Sequence, residues 1–336
     1  MNPAGRGTGG AAGWGRHASL AVMAVLLLGS GNPAAAQGGW PDRPIRMVVP
    51  FAPGGVTDSI GRLSAEWLGK SLGQPVPIEN RSGANGAIAA EAVARSAPDG
   101  YTLFTASASQ MVMLPALMRL TFNPATDFAP ISIVASNPMV LAISSALNIS
   151  TLKEFVALAK ARQGKLDYSS AGNGSSTHLA MALLLQRAGI QMQHVPYRGG
   201  APAVQALLTG EVAAYFGNPS DMIPHLQGGR IRVLAVAGTE RLASLPGVPT
   251  VAEQGYPDFR AETWNGVAAP AATPPAAVER MGEVLGKACE DAAFRGALER
   301  LGTTPVCSTP AGFAEAMRRD APIWQEAVRI SGASLD

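Results

Sequence analysis

Short apolar runs suited to strands alternate with amphipathic helix patterns from residue 45 onward, and this alternation constrains the fold more than any other feature of the chain. Ile45-Arg-Met-Val-Val49 reads as a buried strand stopped at Pro50. After the loop Phe51-Ala-Pro-Gly-Gly55, a helix is expected over 58–72, with Ile60, Leu63, Trp67 and Leu68 on one face and Thr57 or Asp58 as its cap. A strand at 76–78, an Ala-rich helix ending at 95 and a strand at 101–104 follow, then strands at 131–134 and 140–143. Thr151-Leu-Lys-Glu154 is a capping box that opens a helix to 163. Strands at 166–169, 194–197, 212–216 and 231–237 alternate with helices over 176–187 and up to 209. The Pro- and Gly-rich stretch 238–275 reads as a return connection. The tail reads as helical, with Thr273-Pro274 and Thr309-Pro310 as cap and first-turn pairs. Strands that alternate with helices imply an α/β fold with largely parallel sheets.

The N-terminus has a different character. Arg6 and Arg16 are the only charged residues before Asp42, Leu20-Ala-Val-Met-Ala-Val-Leu-Leu-Leu28 is apolar, and Ala34-Ala-Ala36 precedes Gln37. A positive end, a short apolar core and a small-residue cleavage site define a secretory signal peptide over 1–36. A membrane span needs about 20 apolar residues, roughly twice this run. No cysteine lies near the cleavage point, so the expected product is periplasmic and not lipid-anchored. Its 300 residues are enough for two domains and carry 24 basic and 24 acidic side chains. A formally neutral chain has no electrostatic reason to seek nucleic acid or an anionic membrane. Cys289 and Cys307 are compatible with a disulfide or with two separate buried thiols. The histidines at 17, 178, 194 and 225 show no metal-ligand spacing, and no cofactor is expected.

Three segments share one design of strand, Gly-rich turn and helix start: Pro53-Gly-Gly55, Ala171-Gly-Asn-Gly-Ser-Ser176 and Tyr197-Arg-Gly-Gly200. Glycine lets a ligand approach the backbone, and a helix N-terminus offers unpaired N–H groups with partial positive charge. Together these make an anion site. Any one of the three is also an ordinary turn. Gly172-Asn-Gly174 is not a dinucleotide fingerprint, because Thr177 occupies the third glycine position. A Walker A pattern is absent, and the Gly-x-Ser-x-Gly match at Gly69-Lys-Ser-Leu-Gly73 falls at the end of the helix expected over 58–72 instead of at a strand-to-helix elbow, which argues against an exported hydrolase.

At these loops the sequence resembles the Bug family, the solute receptors of tripartite tricarboxylate transporters. The resemblance rests on Trp40-Pro-Asp-Arg-Pro-Ile-Arg-Met-Val-Val-Pro-Phe-Ala-Pro-Gly-Gly55 with Asp58 and Arg62, then Glu79-Asn-Arg-Ser-Gly-Ala84 and Ala97-Pro-Asp-Gly-Tyr-Thr-Leu103. It continues through Tyr168-Ser-Ser-Ala-Gly-Asn-Gly-Ser175, His194-Val-Pro-Tyr197, Pro249-Thr-Val-Ala-Glu253 and Trp264-Asn-Gly-Val-Ala-Ala-Pro270. It implies a two-lobed, Venus-flytrap binding protein with lobe 1 over 40–141 plus 261–336 and lobe 2 over 142–260. It also implies a small carboxylate held in the interlobe cleft, with no catalysis. Carried over, the ligand-binding residues are Phe51, Pro53, Gly54, Gly55, Thr57 and Asp58 on the first loop and Ser107 after the third strand. Ser170, Gly172, Asn173, Gly174, Ser175, Ser176 and His178 form the facing loop, and Asn218 lines the far side. The implied partners are inner-membrane transporter subunits, or alternatively a sensor kinase, with the receptor itself a monomer. One departure bears on the ligand. Gly217 stands where many members carry Asp, which disfavours an amino-acid ligand.

Overall fold

The computed structural model describes Gly7, Gly9 and residues 39–335; apart from those two glycines, the expected leader and its cleavage point lie outside the described residues. The chain begins with β1 (Arg46–Val49), α1 (Val56–Leu72), β2 (Ile78–Asn80), α2 (Ala87–Ala94), β3 (Thr102–Ser107), α3 (Leu114–Leu117) and β4 (Phe128–Pro138). Met139 leads into β5 (Val140–Ser144), α4 (Leu152–Ala161), β6 (Asp167–Ser170), α5 (Ser176–Ala188), β7 (Gln193–Pro196), α6 (Gly200–Thr209), β8 (Ala214–Gly217), α7 (Pro219–Met222) and β9 (Ile231–Val236). The chain then returns through β10 (Glu262–Pro270), α8 (Pro275–Ala288), α9 (Ala292–Arg300), β11 (Thr304–Pro305) and α10 (Pro310–Ser331).

These strands form two sheets, ordered β11-β4-β10-β3-β1-β2 and β7-β6-β8-β5-β9. Both are mixed, which corrects the expectation of largely parallel sheets. β1 runs parallel to β2 and β3, and β6 parallel to β7 and β8, as strand–helix–strand units require. The strands that carry the chain between sheets break the pattern. β10 is antiparallel to β3 and β4, and β5 is antiparallel to β8 and β9. The crossing segments are bonded to one another: Met139 N–H donates to Ala261 O at 3.2 Å, Ala237 N–H to Met139 O at 2.7 Å, and Ala261 N–H to Ala237 O at 3.0 Å.

The largest departure from the sequence reading is β10. A nine-residue strand at the centre of the first sheet occupies part of the stretch read as a connection. Both of its faces are covered, so it lacks polar–apolar alternation. Trp264 is buried, donates from Nε1 to Asp320 Oδ2 at 3.0 Å and meets Phe313 edge-on at 5.0 Å. Burying a side chain of this size contributes about 1.5–3 kcal/mol. At Gly266 the backbone of β4 comes so close that an added Cβ would lie 2.4 Å from Ser132 O and 3.0 Å from Ile133 Cα.

Caps decide several helix ends. Thr151 with Glu154 forms the expected reciprocal box, and Thr309 Oγ1 accepts from Gly312 N–H. Thr273 does not cap α8. Pro274 takes that position, and the Thr273 hydroxyl is buried without a hydrogen bond. Neither Thr57 nor Asp58 is the N-cap of α1. Gly55 is, with an extended backbone. β2 lies two residues later than expected. Cys289, at the end of α8, and Cys307, after β11, form a disulfide with a Cα–Cα distance of 5.9 Å. The bond ties α9 and β11 to α8 across 18 residues of sequence and contributes about 3 kcal/mol in the loop-entropy account.

Candidate functional site

The first candidate surface is built on the loop between β1 and α1. Gly55 caps α1 without a side-chain hydrogen bond, and the first backbone bond of the helix runs from Ser59 N–H to Gly55 O. The N–H groups of Gly55, Val56 and Thr57 therefore have no partner within α1, and a partial positive charge gathers there. Asp58 holds this loop in shape. Its side chain is 3% exposed. Oδ2 accepts from Gly54 N–H at 2.9 Å and Arg62 Nε at 2.9 Å, while Oδ1 accepts from Asn80 Nδ2 at 2.7 Å. Asn80 Nδ2 also donates to Phe51 O at 2.9 Å. Burial alone would raise the Asp58 carboxyl, but the hydrogen bonds from Arg62, Asn80 and Gly54 outweigh it and hold the group below its ordinary value. With its acceptor positions filled, Asp58 is placed to shape the loop. Pro53, Gly54 and Gly55 are exposed at its tip, and Phe51 and Thr57 are half-buried.

β3 and β10 complete this side. Ser107 stands opposite Asn265 in register. The Ser107 hydroxyl donates to Gln110 Oε1 at 2.6 Å, and Gln110 Nε2 reaches Asn85 O at 2.8 Å. Asn265 was not anticipated from the sequence. It is 4% exposed, and its Oδ1 accepts from Thr57 Oγ1 at 2.7 Å. The side-chain NH2 makes no hydrogen bond among the described residues. The NH2 is not one of the buried polar atoms left without a partner, so it keeps contact with solvent and can meet a ligand. The signal was present in Trp264-Asn-Gly266, but that segment read as a connection.

The second surface is the loop from β6 to α5. Ser175 caps α5 and accepts from His178 N–H at 3.3 Å. Thr177 Oγ1 accepts from Ala171 N–H at 2.8 Å, and Ser170 Oγ accepts from Gly172 N–H at 3.1 Å. The N–H groups of Ser176 and Thr177 are left at the start of a 13-residue helix. His178 lies beneath this loop. It is 4% exposed, and its Nδ1 accepts from Gly174 N–H at 3.2 Å. Its ring stacks on His194 at 3.8 Å, and His194 stacks in turn on Tyr168 at 5.1 Å. His194 Nε2 meets Ser170 Oγ at 2.6 Å. Burial, reinforced by the neighbouring His194, lowers the His178 pKa to about 4, so the ring is neutral and can accept the Gly174 N–H. Asn173 is exposed and donates to Ser334 O at 3.3 Å.

β6, β7 and β8 run parallel, so the loop 171–176, the loop 197–200 and Asn218 leave the same edge of the second sheet. Gly199 N–H donates to Ala171 O at 3.2 Å and ties two of these loops together. A cavity of about 330 Å³ lies between residues of the two sheets. Ala84, Asn85, Met118 and Leu335 line one side of it, and Ala171, Asn173 and Ser175 the other. Asn173 and Ser175 are the expected site residues that reach it. The first-loop residues from Phe51 to Asp58 lie outside its lining, linked to it through Ser107, Gln110 and Asn85. A roomier groove of about 750 Å³ along the outer side of α1 contains none of the expected residues. Charged side chains at its rim are already paired, as in Lys70–Glu66 and Arg62–Asp58.

Two mixed α/β sheets joined by crossing strands, with helix N-termini and hydroxyls gathered at the strand ends, define a two-lobed solute-binding protein. The family model described as tripartite tricarboxylate transporter family receptor matches residues 60–324. Protein BugT of Bordetella pertussis is 37% identical over 319 residues, covering 94% of this chain and 98% of BugT. An adipate-bound protein from R. palustris superimposes with a TM-score of 0.77 at 31% identity, covering 88% of this chain and 99% of that one. MatC from Rhodopseudomonas palustris, with bound malate, gives 0.73 at 32% identity, covering 86% and 100%. The chain belongs to the tripartite tricarboxylate transporter receptor family, the family whose likeness its loops carry.

Proposed function

We propose that this chain captures a small organic carboxylate unchanged in the periplasm and presents it to a membrane transporter of the tripartite tricarboxylate type. The two lobes are 40–141 plus 261–336 and 142–260, hinged at the bonded crossings around Met139, Ala237 and Ala261. The observation that carries the reading is the N-terminus of α1, where a helix end without a side-chain cap lies beside Thr57 and the Asn265 amide bonded to it. A carboxylate docks there, and closure brings the Ser170–Ser176 loop and the start of α5 onto it. Asn218 borders the same space. Adipate and malate in the related structures support a carboxylate as the ligand. No helix among the described residues is long and apolar enough to cross a membrane, in keeping with a receptor that works beside its transporter.

Hydrogen bonds to a charged acceptor are worth about 1.5–3 kcal/mol each. A few of them reach micromolar affinity, about −8 kcal/mol. Gly55→Val tests the site. A Cβ added at Gly55 meets no atom within 4 Å, so the fold has room for a side chain there while the helix end is covered. Mass spectrometry of ligand released from natively purified protein identifies the carboxylate. Calorimetry with that acid then shows at least a hundredfold loss for the variant. Unchanged affinity would place the site elsewhere, and conversion of the acid during incubation would make the protein an enzyme.

A further inference from the structure

Leu335, beyond the end of α10, is one of the few large apolar side chains exposed among the described residues, at 37%. An exposed Leu is ordinary by itself, but this one is anchored. Its backbone N–H donates to Leu117 O, at the end of α3, at 2.9 Å. The preceding carbonyl, Ser334 O, accepts from Asn173 Nδ2 at 3.3 Å. The tail is therefore tied both to α3, which links β3 to β4, and to the glycine loop that follows β6. That loop passes close by: a Cβ on Gly174 would lie 3.0 Å from Leu117 Cδ2 and 3.6 Å from Leu335 Cδ2. Held in this way, Leu335 forms a wall of the cavity of about 330 Å³ together with Met118 and Ala84. None of the residues lining that cavity carries a charge. Its side-chain N–H donors are the amides of Asn85 and Asn173, and Asn173 already donates to Ser334. The Ser175 hydroxyl donates to Gly172 O at 2.7 Å. Ser175 is also the cap of α5, so that helix N-terminus opens on the same space. One side of the cavity thus offers backbone N–H groups to an anion, and the other offers methyl, thioether and isobutyl groups.

We infer that Leu335 is a specificity-determining contact: the C-terminal tail walls the binding cavity, which selects acids whose remainder, beyond the gripped carboxylate, is uncharged and apolar. The inference rests on the carboxylate reading above and names the ligand class of the same site. The cavity falls at the lower end of the range of ordinary ligand pockets, enough for an alkyl chain or a ring. A second carboxylate set against Leu335 and Met118 would give up water for two neutral amides and no cation, which is unfavourable. An alkyl end in the same place gains from the apolar surface it covers.

Hexanoate and adipate have the same chain length and differ at one end, methyl against carboxylate. In calorimetry at pH 7 with the full mature chain, wild type binds hexanoate about tenfold or more tightly than adipate. Leu335→Ser leaves the backbone bonds of the tail in place, weakens hexanoate about fivefold or more and leaves adipate nearly unchanged. Leu335→Arg supplies the missing cation and shifts the preference toward adipate. Circular dichroism checks that both variants fold. Where the co-purified acid carries a single carboxylate, its weakening in Leu335→Ser gives the same support as that of hexanoate. Adipate bound as tightly as hexanoate, a co-purified acid charged at both ends, or affinities unchanged in both folded variants overturns the inference and leaves the carboxylate reading intact. A wild type that binds neither acid and releases no co-purified acid overturns both.

Discussion

Two kinds of polar residue meet at the cleft, and their hydrogen-bond inventories separate them. Asp58 has its acceptor positions filled by Gly54, Arg62 and Asn80, so it fixes a loop. Asn265 has its oxygen taken by Thr57 and its NH2 left over, so it is ready to donate. Asn265→Asp keeps the Thr57 bond and replaces the donor with a negative oxygen. We expect at least a tenfold loss of carboxylate affinity with little change in fold, read by calorimetry beside circular dichroism. Equal affinity would remove Asn265 from the site. His178 belongs to the supporting kind. Its pKa falls from 6.5 to about 4 on folding, so the unfolded chain binds the proton first as pH drops. Its share of stability is complete above pH 6.5 and is lost between 6.5 and 4, by roughly 3 kcal/mol at most. Urea titrations at several pH values should show this slope. His178→Asn, which keeps an acceptor near Gly174 and does not titrate, should flatten part of it; an unchanged slope would assign the pH dependence to other groups. The family resemblance placed His178 among the ligand contacts. In the structure its ring stacks on His194 and its Nδ1 accepts from Gly174 N–H, contacts that short-range sequence does not show.

At the scale of elements, the strand–helix units were legible because each combines an apolar run, a turn and a cap within a few residues. β10 was not. A central strand covered on both faces shows no alternation, and its identity depends on β3 and β4, which lie more than a hundred residues away in sequence. Its close approach to β4 makes a prediction. Gly266→Ala drives a Cβ into the backbone at Ser132 and Ile133, which cannot turn aside as a side chain could. We expect a loss of about 3 kcal/mol in denaturant unfolding. A variant as stable as wild type would mean that the two strands separate easily at their register shift.

On the scale of the whole molecule, the bonded crossings at Met139, Ala237 and Ala261 join two sheets that share one buried apolar cluster, while the helix N-termini that would grip the ligand belong to different sheets. Hinge closure is the motion this arrangement permits, provided the ligand binds the closed form better. Small-angle scattering should show the radius of gyration fall when saturating carboxylate is added. An unchanged profile, with binding proved by calorimetry, would mean that the cleft is already closed. α10 packs against both α5 and β4, so the C-terminal helix touches elements of either sheet and would guide the movement.

What the sequence determined by itself is local in origin. Strand and helix periods, the Thr151 and Thr309 caps, the glycine loops and the family likeness all lie in short contiguous stretches, where neighbouring residues dictate backbone geometry. Tertiary structure decided the rest: the mixed sheets, the pairing of Cys289 with Cys307, the leftover donor of Asn265 and the buried stack at the second loop. Each depends on groups brought together from distant parts of the chain. Which donor keeps a free hydrogen is fixed only once those partners have met.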